Sequence, residues 1–262
     1  MIQPMPPDLA SGDISPQRNP SPQSAKDRLI VALDVRTQDE ARALVNELDT
    51  RVSFFKVGYQ LFLATGMPFV RELVNRGKEV FLDLKMDDVE ETISLAVRVI
   101  TEENVRFLTI QGNSATARAA GSGRGAATYP KILSVTLLTS LDRQDLIDLG
   151  LLGTKGRFST LDEYVSWRAE QALTSGCDGL ISSGTSVAML RAKFGAKPII
   201  VCPGIRQRSD ATDDHKRATT PREAIAAGAD YVVVGRPIRN AADRGAKTDA
   251  IIEEIEIGMR ER

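Results

Sequence analysis

Asp83, Lys85 and Asp88 fall within six positions of one another, at the end of the apolar run Val80-Phe81-Leu82. Residues two apart on an extended chain point to the same face, so Asp83 and Lys85 meet if the strand persists, and Asp88 can fold back toward them from the turn beyond. Burying such charges costs several kcal/mol per ion unless they pair. A cluster of this kind is therefore held either for chemistry, where an ammonium and carboxylates handle charge and protons, or as a structural ion pair.

Composition narrows the chemistry. His215 is the single histidine, which rules out any site built on two imidazoles. Cys177 and Cys202, far apart and beside apolar runs, make neither a disulfide framework nor a zinc cluster and read as buried reduced thiols of a cytoplasmic protein. With 34 basic and 35 acidic residues spread along the chain, the net charge is -1, so no broad nucleic-acid or membrane surface is expected. A local phosphate site remains open. No apolar run approaches the ~20 residues needed to span a bilayer.

The elements that must position the cluster follow from the pattern of the rest. Residues 1–26 carry six of the twelve prolines (Pro4, Pro6, Pro7, Pro16, Pro20 and Pro22) and almost no apolar periodicity, which reads as a disordered leader. It lacks the basic start and apolar centre of a secretory signal. From residue 27 to 262 short apolar runs alternate with helix-length segments. The strand candidates are Leu29 to Leu33, Ser53 to Val57, Glu79 to Leu84, Phe107 to Ile110, Ile132 to Thr136, Gly179 to Ser182, Ile199 to Cys202 and Tyr231 to Val234. Thr37 with Glu40 forms a capping-box pattern, and Thr220 precedes Pro221, a residue suited to the first helical position. Eight such units in 262 residues, 42% of them hydrophobic, fit a single-domain (β/α)8 TIM barrel, an α/β fold, better than an open sheet. In a closed barrel Asp34, Lys56, Asp83, Lys85, Ser140, Arg206 and Arg236 converge on one mouth. Two stretches interrupt the regularity: Ala115 to Tyr129, rich in Gly and Ala, reads as a surface loop, and the polar segment Pro203 to Arg217 reads as a lid.

At this level the motifs become specific. Leu33-Asp34, Phe55-Lys56-Val57-Gly58, Asp83-Leu84-Lys85 with Asp88, Leu138-Thr139-Ser140, Pro203-Gly204-Ile205-Arg206, Asp213 to Arg217 leading to Thr220-Pro221, and Val234-Gly235-Arg236-Pro237-Ile238 occur in order. As an ordered set they resemble the orotidine 5′-phosphate decarboxylase family across essentially everything after the leader.

The resemblance implies conversion of orotidine 5′-monophosphate to UMP and carbon dioxide, the last step of de novo pyrimidine synthesis, without metal or organic cofactor. It also implies a homodimer with a site at each subunit interface. Lys56, Asp83 and Lys85 would form an alternating charged array completed by Asp88 from the partner chain, with Thr92 a second contact from that chain. Asp34 would bond the ribose, Ser140 would read the pyrimidine, and Arg236 with the Gly235 backbone would hold the phosphate. Pro203, Arg206 and His215 would add substrate contacts from the lid segment. Departures from the family pattern are Asp87, Glu90 and Glu91 around Asp88, Gln111 to Ser114 after the fourth strand, and His215 where glutamine is usual.

Two rivals are considered. A magnesium-dependent 3-keto-gulonate 6-phosphate type decarboxylase shares the Asp-x-Lys-x-x-Asp segment, but Lys56 and the lid motif argue against it. A catalytically silent phosphate-binding barrel would have no use for buried charges that are costly to hold together.

Overall fold

Parallel strands buried on both faces need near-continuous apolar runs, and eight of the chain's runs meet that need. The computed structural model describes residues 22–154, 156–208 and 219–262. Along it lie α1 (Ala25–Arg28), β1 (Leu29–Ala32), α2 (Gln38–Glu47), β2 (Phe54–Gly58), α3 (Tyr59–Asn75), β3 (Glu79–Met86), α4 (Glu90–Thr101), β4 (Phe107–Ile110), α5 (Ser114–Arg124) and β5 (Lys131–Val135). The second half holds α6 (Arg143–Asp148), α7 (Leu161–Thr174), β6 (Gly179–Ile181), α8 (Gly184–Phe194), β7 (Ile199–Cys202), α9 (Pro221–Ala226), β8 (Tyr231–Val234), α10 (Arg236–Arg239) and α11 (Arg244–Glu261). The strands close in sequence order, β1 pairing with both β2 and β8, into the expected (β/α)8 barrel.

Alternation along each strand sorts the side chains into two cores. Outward residues such as Val31, Phe55, Val57, Leu82 and Leu108 pack beneath the helices. Inward residues, among them Ile30, Ala32, Phe54, Phe81, Phe107, Tyr231 and Val233, fill the barrel. At its floor Phe107 stacks at 5.1 Å from both Phe54 and Tyr231 and edge-on at 6.0 Å to Phe81, a closed aromatic plug. The next inward position on the same strands is the mouth: Asp34 after Ala32, Lys56 after Phe54, Asp83 after Phe81, Thr109 after Phe107, Gly235 after Val233.

Four readings of the sequence are corrected or refined. Ala115 to Tyr129 is not a surface loop: Ser114–Arg124 is helix α5, capped by Asn113, whose side chain accepts from the Ala115 and Thr116 amides. Its small residues serve close packing, since a Cβ at Gly123 would sit 2.2 Å from the Ser94 carbonyl oxygen of α4. Residues 24–26, placed above in the leader, belong to the fold, because Ser24 and Asp27 form a capping box and Ala25 is buried in the core. Thr37 caps α2 alone, as the Glu40 carboxylate accepts instead from the Arg36 amide. Thr220 and Glu223 do make the reciprocal box, with Pro221 at the first turn of α9.

Both cysteines are free and buried, and burial pushes Cys177 up to about 12 and Cys202 higher still, so both are inert thiols. Among the described residues no helix is long and apolar enough to cross a membrane.

Candidate active site

The charged mouth residues form one connected array. Lys56 Nζ donates to Asp34 Oδ1 at 2.9 Å and lies 3.4 Å from Asp83 Oδ2, while Lys85 Nζ donates to Asp83 Oδ1 at 2.8 Å. Four side chains from β1 and its following loop, β2 and β3 therefore alternate in sign, with Asp83 bridging two ammonium groups. The Asp83 side chain is 13% exposed and that of Lys56 11%, so water screens the bridge poorly.

Electrostatics fixes the protonation of the inner pair. Burial alone would raise the Asp83 carboxyl, but the charges of Lys56 and Lys85 and the hydrogen bonds from Lys85 and Thr109 outweigh it and hold the group below its ordinary value. For Lys56 burial would favour the neutral amine; the charges of Asp83 and Asp34, with their hydrogen bonds, hold the ammonium above its ordinary value instead. The inner pair, Asp83 and Lys56, is thus kept ionised through the neutral range.

Backbone geometry at Lys85 departs from simple strand alternation. Between the pairs Leu82↔Leu108 and Met86↔Ile110, strand β3 carries Asp83, Leu84 and Lys85 against the single residue Thr109 of β4, a bulge. Lys85 takes up the excess with φ of +42°, a left-handed conformation that a residue bearing a side chain adopts at a cost of about 1–3 kcal/mol. The sequence places Asp83 and Lys85 together by two-residue alternation; the structure brings them together through this bulge.

The array lines a cavity of about 550 Å³ at the barrel mouth. Gly235, Arg236, Pro203 and Arg206 line it too, as expected. Ser140 does not. From the end of β5 onward Val135, Leu137, Leu138 and Thr139 line the cavity, and Ser140 is exposed outside its wall. Asp88 and Thr92 are also exposed and outside this chain's cavity; the Asp88 carboxylate accepts from the Val89 amide at 2.6 Å and does not fold back onto Lys85. His215, and with it most of the proposed lid, lies outside the described residues.

Sequence reasoning missed two residues of consequence, Arg239 on the cavity wall and Thr109 buried behind it. Arg239 follows Arg236 by one helical turn, lines the cavity and donates from Nη1 to the Asp34 carbonyl oxygen. Its signal was present, because i and i+3 share a helix face, and the helix Arg236–Arg239 carries both. Thr109 reads as one more β-branched strand residue, and nothing local marks its hydroxyl as a partner of Asp83.

Comparison with known proteins agrees with this geometry. Residues 27–251 match the family model described as Orotidine 5'-phosphate decarboxylase / HUMPS family. The chain is 45% identical over 235 residues to the orotidine 5'-phosphate decarboxylase of Rhodopseudomonas palustris (strain BisA53), spanning 89% of this chain and 97% of that protein. It is likewise 45% identical over 237 residues to that of Bradyrhizobium diazoefficiens, spanning 90% and 97%. Among solved structures, orotidine 5'-phosphate decarboxylase from Lactobacillus acidophilus superposes with a TM-score of 0.74 at 32% identity, covering 87% of this chain and 98% of that one. An uncharacterized conserved protein from Geobacillus kaustophilus gives 0.72 at 28% identity, covering 87% and 99%.

Proposed function

The chain belongs to the orotidine 5'-phosphate decarboxylase / HUMPS family, and from that premise we propose that it converts orotidine 5′-monophosphate to UMP and carbon dioxide, the last step of de novo UMP synthesis. The observation that carries the reading is the Asp34-Lys56-Asp83-Lys85 array on the cavity wall.

Breaking the C6–carboxylate bond releases carbon dioxide and leaves the electron pair on C6. A site that accelerates this step must bind the carbanion more tightly than the substrate. Lys85 is the cation placed for it: partly exposed at the cavity wall, anchored to Asp83, it stabilises the developing charge and then donates its proton to C6. Asp83 sets the Lys85 ammonium in place and sits where the substrate carboxylate would crowd it, and Lys56 keeps Asp83 ionised. Asp34 bonds the ribose, and Gly235, Arg236 and Arg206 grip the phosphate, whose remote binding energy aligns the ring. The reaction needs no metal or organic cofactor in this scheme, since the charge stabilisation comes from Lys85.

The working unit is a homodimer in which Asp88 and Thr92 enter the partner's site. Two features support it. Both residues face solvent outside their own cavity. Thr92, Leu95 and Val99 share one face of α4, and Leu95 and Val99 are 50% and 56% exposed, with Val89 at 67% and Leu63 of α3 at 81%, an apolar surface that a second copy would cover. The proposed location is the cytoplasm, which the chain's two inert free cysteines support.

The test is the loss of orotidine 5′-monophosphate absorbance with purified protein, with and without a chelator. Turnover that persists in the chelator is expected. Turnover abolished by the chelator and restored by magnesium would favour the metal-dependent rival, and no turnover in either condition would overturn the assignment.

A further inference from the structure

Thr109 is fully buried on β4, pointing inward two residues beyond Phe107 of the aromatic plug. Its hydroxyl makes two bonds of opposite sense. Oγ1 donates to Asp83 Oδ1 at 2.9 Å and accepts the backbone N–H of Lys85 at 2.9 Å. A hydroxyl has one hydrogen, so giving it to Asp83 leaves a lone pair for the Lys85 amide, and the two directions are mutually fixed. Asp83 Oδ1 also accepts from Lys85 Nζ at 2.8 Å. The three residues close a ring: hydroxyl to carboxylate, carboxylate to ammonium, and the same lysine's amide back to the hydroxyl.

The ring sits on the strained segment. Thr109 is the one residue of β4 opposite the three-residue bulge of β3, and the amide it holds belongs to Lys85, whose φ is +42°. A left-handed residue persists only where its surroundings over-determine it. In the interior an amide without a partner keeps the full penalty of its desolvation, so the Thr109 hydroxyl is what makes this backbone turn tenable. Its β-branch holds χ1, leaving the oxygen little freedom to point elsewhere.

We propose that Thr109 is a positioning residue for the decarboxylation: it sets the backbone of Lys85 and the orientation of Asp83 together, and so fixes where the Lys85 ammonium stands relative to the reacting carbon. The proposal rests on the decarboxylase reading above. Thr109 touches none of the groups assigned to ribose or phosphate, which predicts an effect on turnover and not on nucleotide binding.

The experiment compares wild type, Thr109→Val and Thr109→Ser, each purified at full length, for kcat and KM with orotidine 5′-monophosphate and for Tm. Valine keeps the shape and removes both hydrogen bonds; serine keeps the hydroxyl and removes the methyl. The expected result is a kcat lowered about tenfold to a hundredfold in Thr109→Val, the scale of loss that a misplacement near 1 Å brings. Its KM should stay within about threefold of wild type, and Thr109→Ser should recover most of kcat. A Thr109→Val enzyme with kcat within twofold of an active wild type would overturn the positioning role alone. So would serine and valine variants equally impaired, which would assign the effect to packing. If Thr109→Val does not fold, Thr109→Ala against Thr109→Ser carries the same comparison, and failure of both hydroxyl-free variants to fold would reduce Thr109 to a structural residue and overturn the proposal. A wild type without turnover would sink the decarboxylase reading first and this inference with it.

Discussion

Gly58 makes room for Lys56: a Cβ at position 58 would lie 2.9 Å from Lys56 Nζ and 3.2 Å from the Asp34 carboxylate oxygen that accepts its hydrogen bond. The backbone there has φ of -102°, open to any residue, so what an added methyl meets is the Lys56 ammonium, which must shift to admit it. Gly58→Ala is therefore expected to push Lys56 off Asp34 and Asp83 and to lower kcat/KM by about tenfold or more, equivalent to about 1.4 kcal/mol of transition-state stabilisation. Steady-state kinetics beside a Tm measurement checks this; an alanine variant as active as wild type would show that Lys56 does not need its present position.

Lys85→Ala removes the cation proposed to meet the C6 carbanion. Turnover should fall by at least about a hundredfold, the lower end of what a positioned proton donor contributes. The fold should survive, because the Lys85 side chain is at the cavity wall and Asp83 keeps Lys56 and Thr109 as partners. A folded Lys85→Ala protein, judged by circular dichroism, that retains a tenth of normal turnover would remove Lys85 from the mechanism.

Among the described residues the Asp88 carboxylate accepts from the amide of its own neighbour Val89 and reaches no group of this chain's array. If it completes the partner's site, separately inactive Lys85→Ala and Asp88→Ala proteins should regain activity when mixed, since one site of each heterodimer then draws on intact residues only. Mass spectrometry confirms the mixed dimer. Mixed dimers that stay inactive would mean that each site takes these residues from a single chain.

The ionised pair Asp83 and Lys56 ties stability to pH. Asp83 sits below its ordinary 3.8 in the folded state, so its contribution is complete above about pH 4 and is lost as pH falls through the lowered folded value. Lys56, held above 10.5, contributes fully below that value and loses its share as pH rises through the raised one. The Tm of wild type relative to Asp83→Asn should be flat between about pH 5 and 8 and should decline once the solution is acidified below about pH 4. A difference that does not change on acidification would show that Asp83 is not held ionised by its neighbours.

What the amino-acid order determined by itself is the barrel and the membership of its mouth. Each strand is a short apolar run, apolar on both faces because helices cover one side and the barrel interior the other, and the charged residue that ends the run lands at the rim by two-residue alternation. Asp34, Lys56, Asp83 and Arg236 were legible for that reason, and the ordered motifs around them carried the family. Tertiary structure decided what depends on a neighbouring strand or helix. Pairing of β3 against β4 forces three residues opposite Thr109, and only that mismatch turns Lys85 left-handed and recruits a threonine hydroxyl into the array. Close approach to Ser94 makes a helix of the glycine-rich stretch around Gly123, whose sequence shows little apolar stripe because the contact demands small side chains. The turn after β5 chooses Thr139 over Ser140 for the cavity wall, and a one-turn helix swings Arg239 in beside Arg236. Local sequence sets which face a residue offers; pairing register and helix contact set what that face meets.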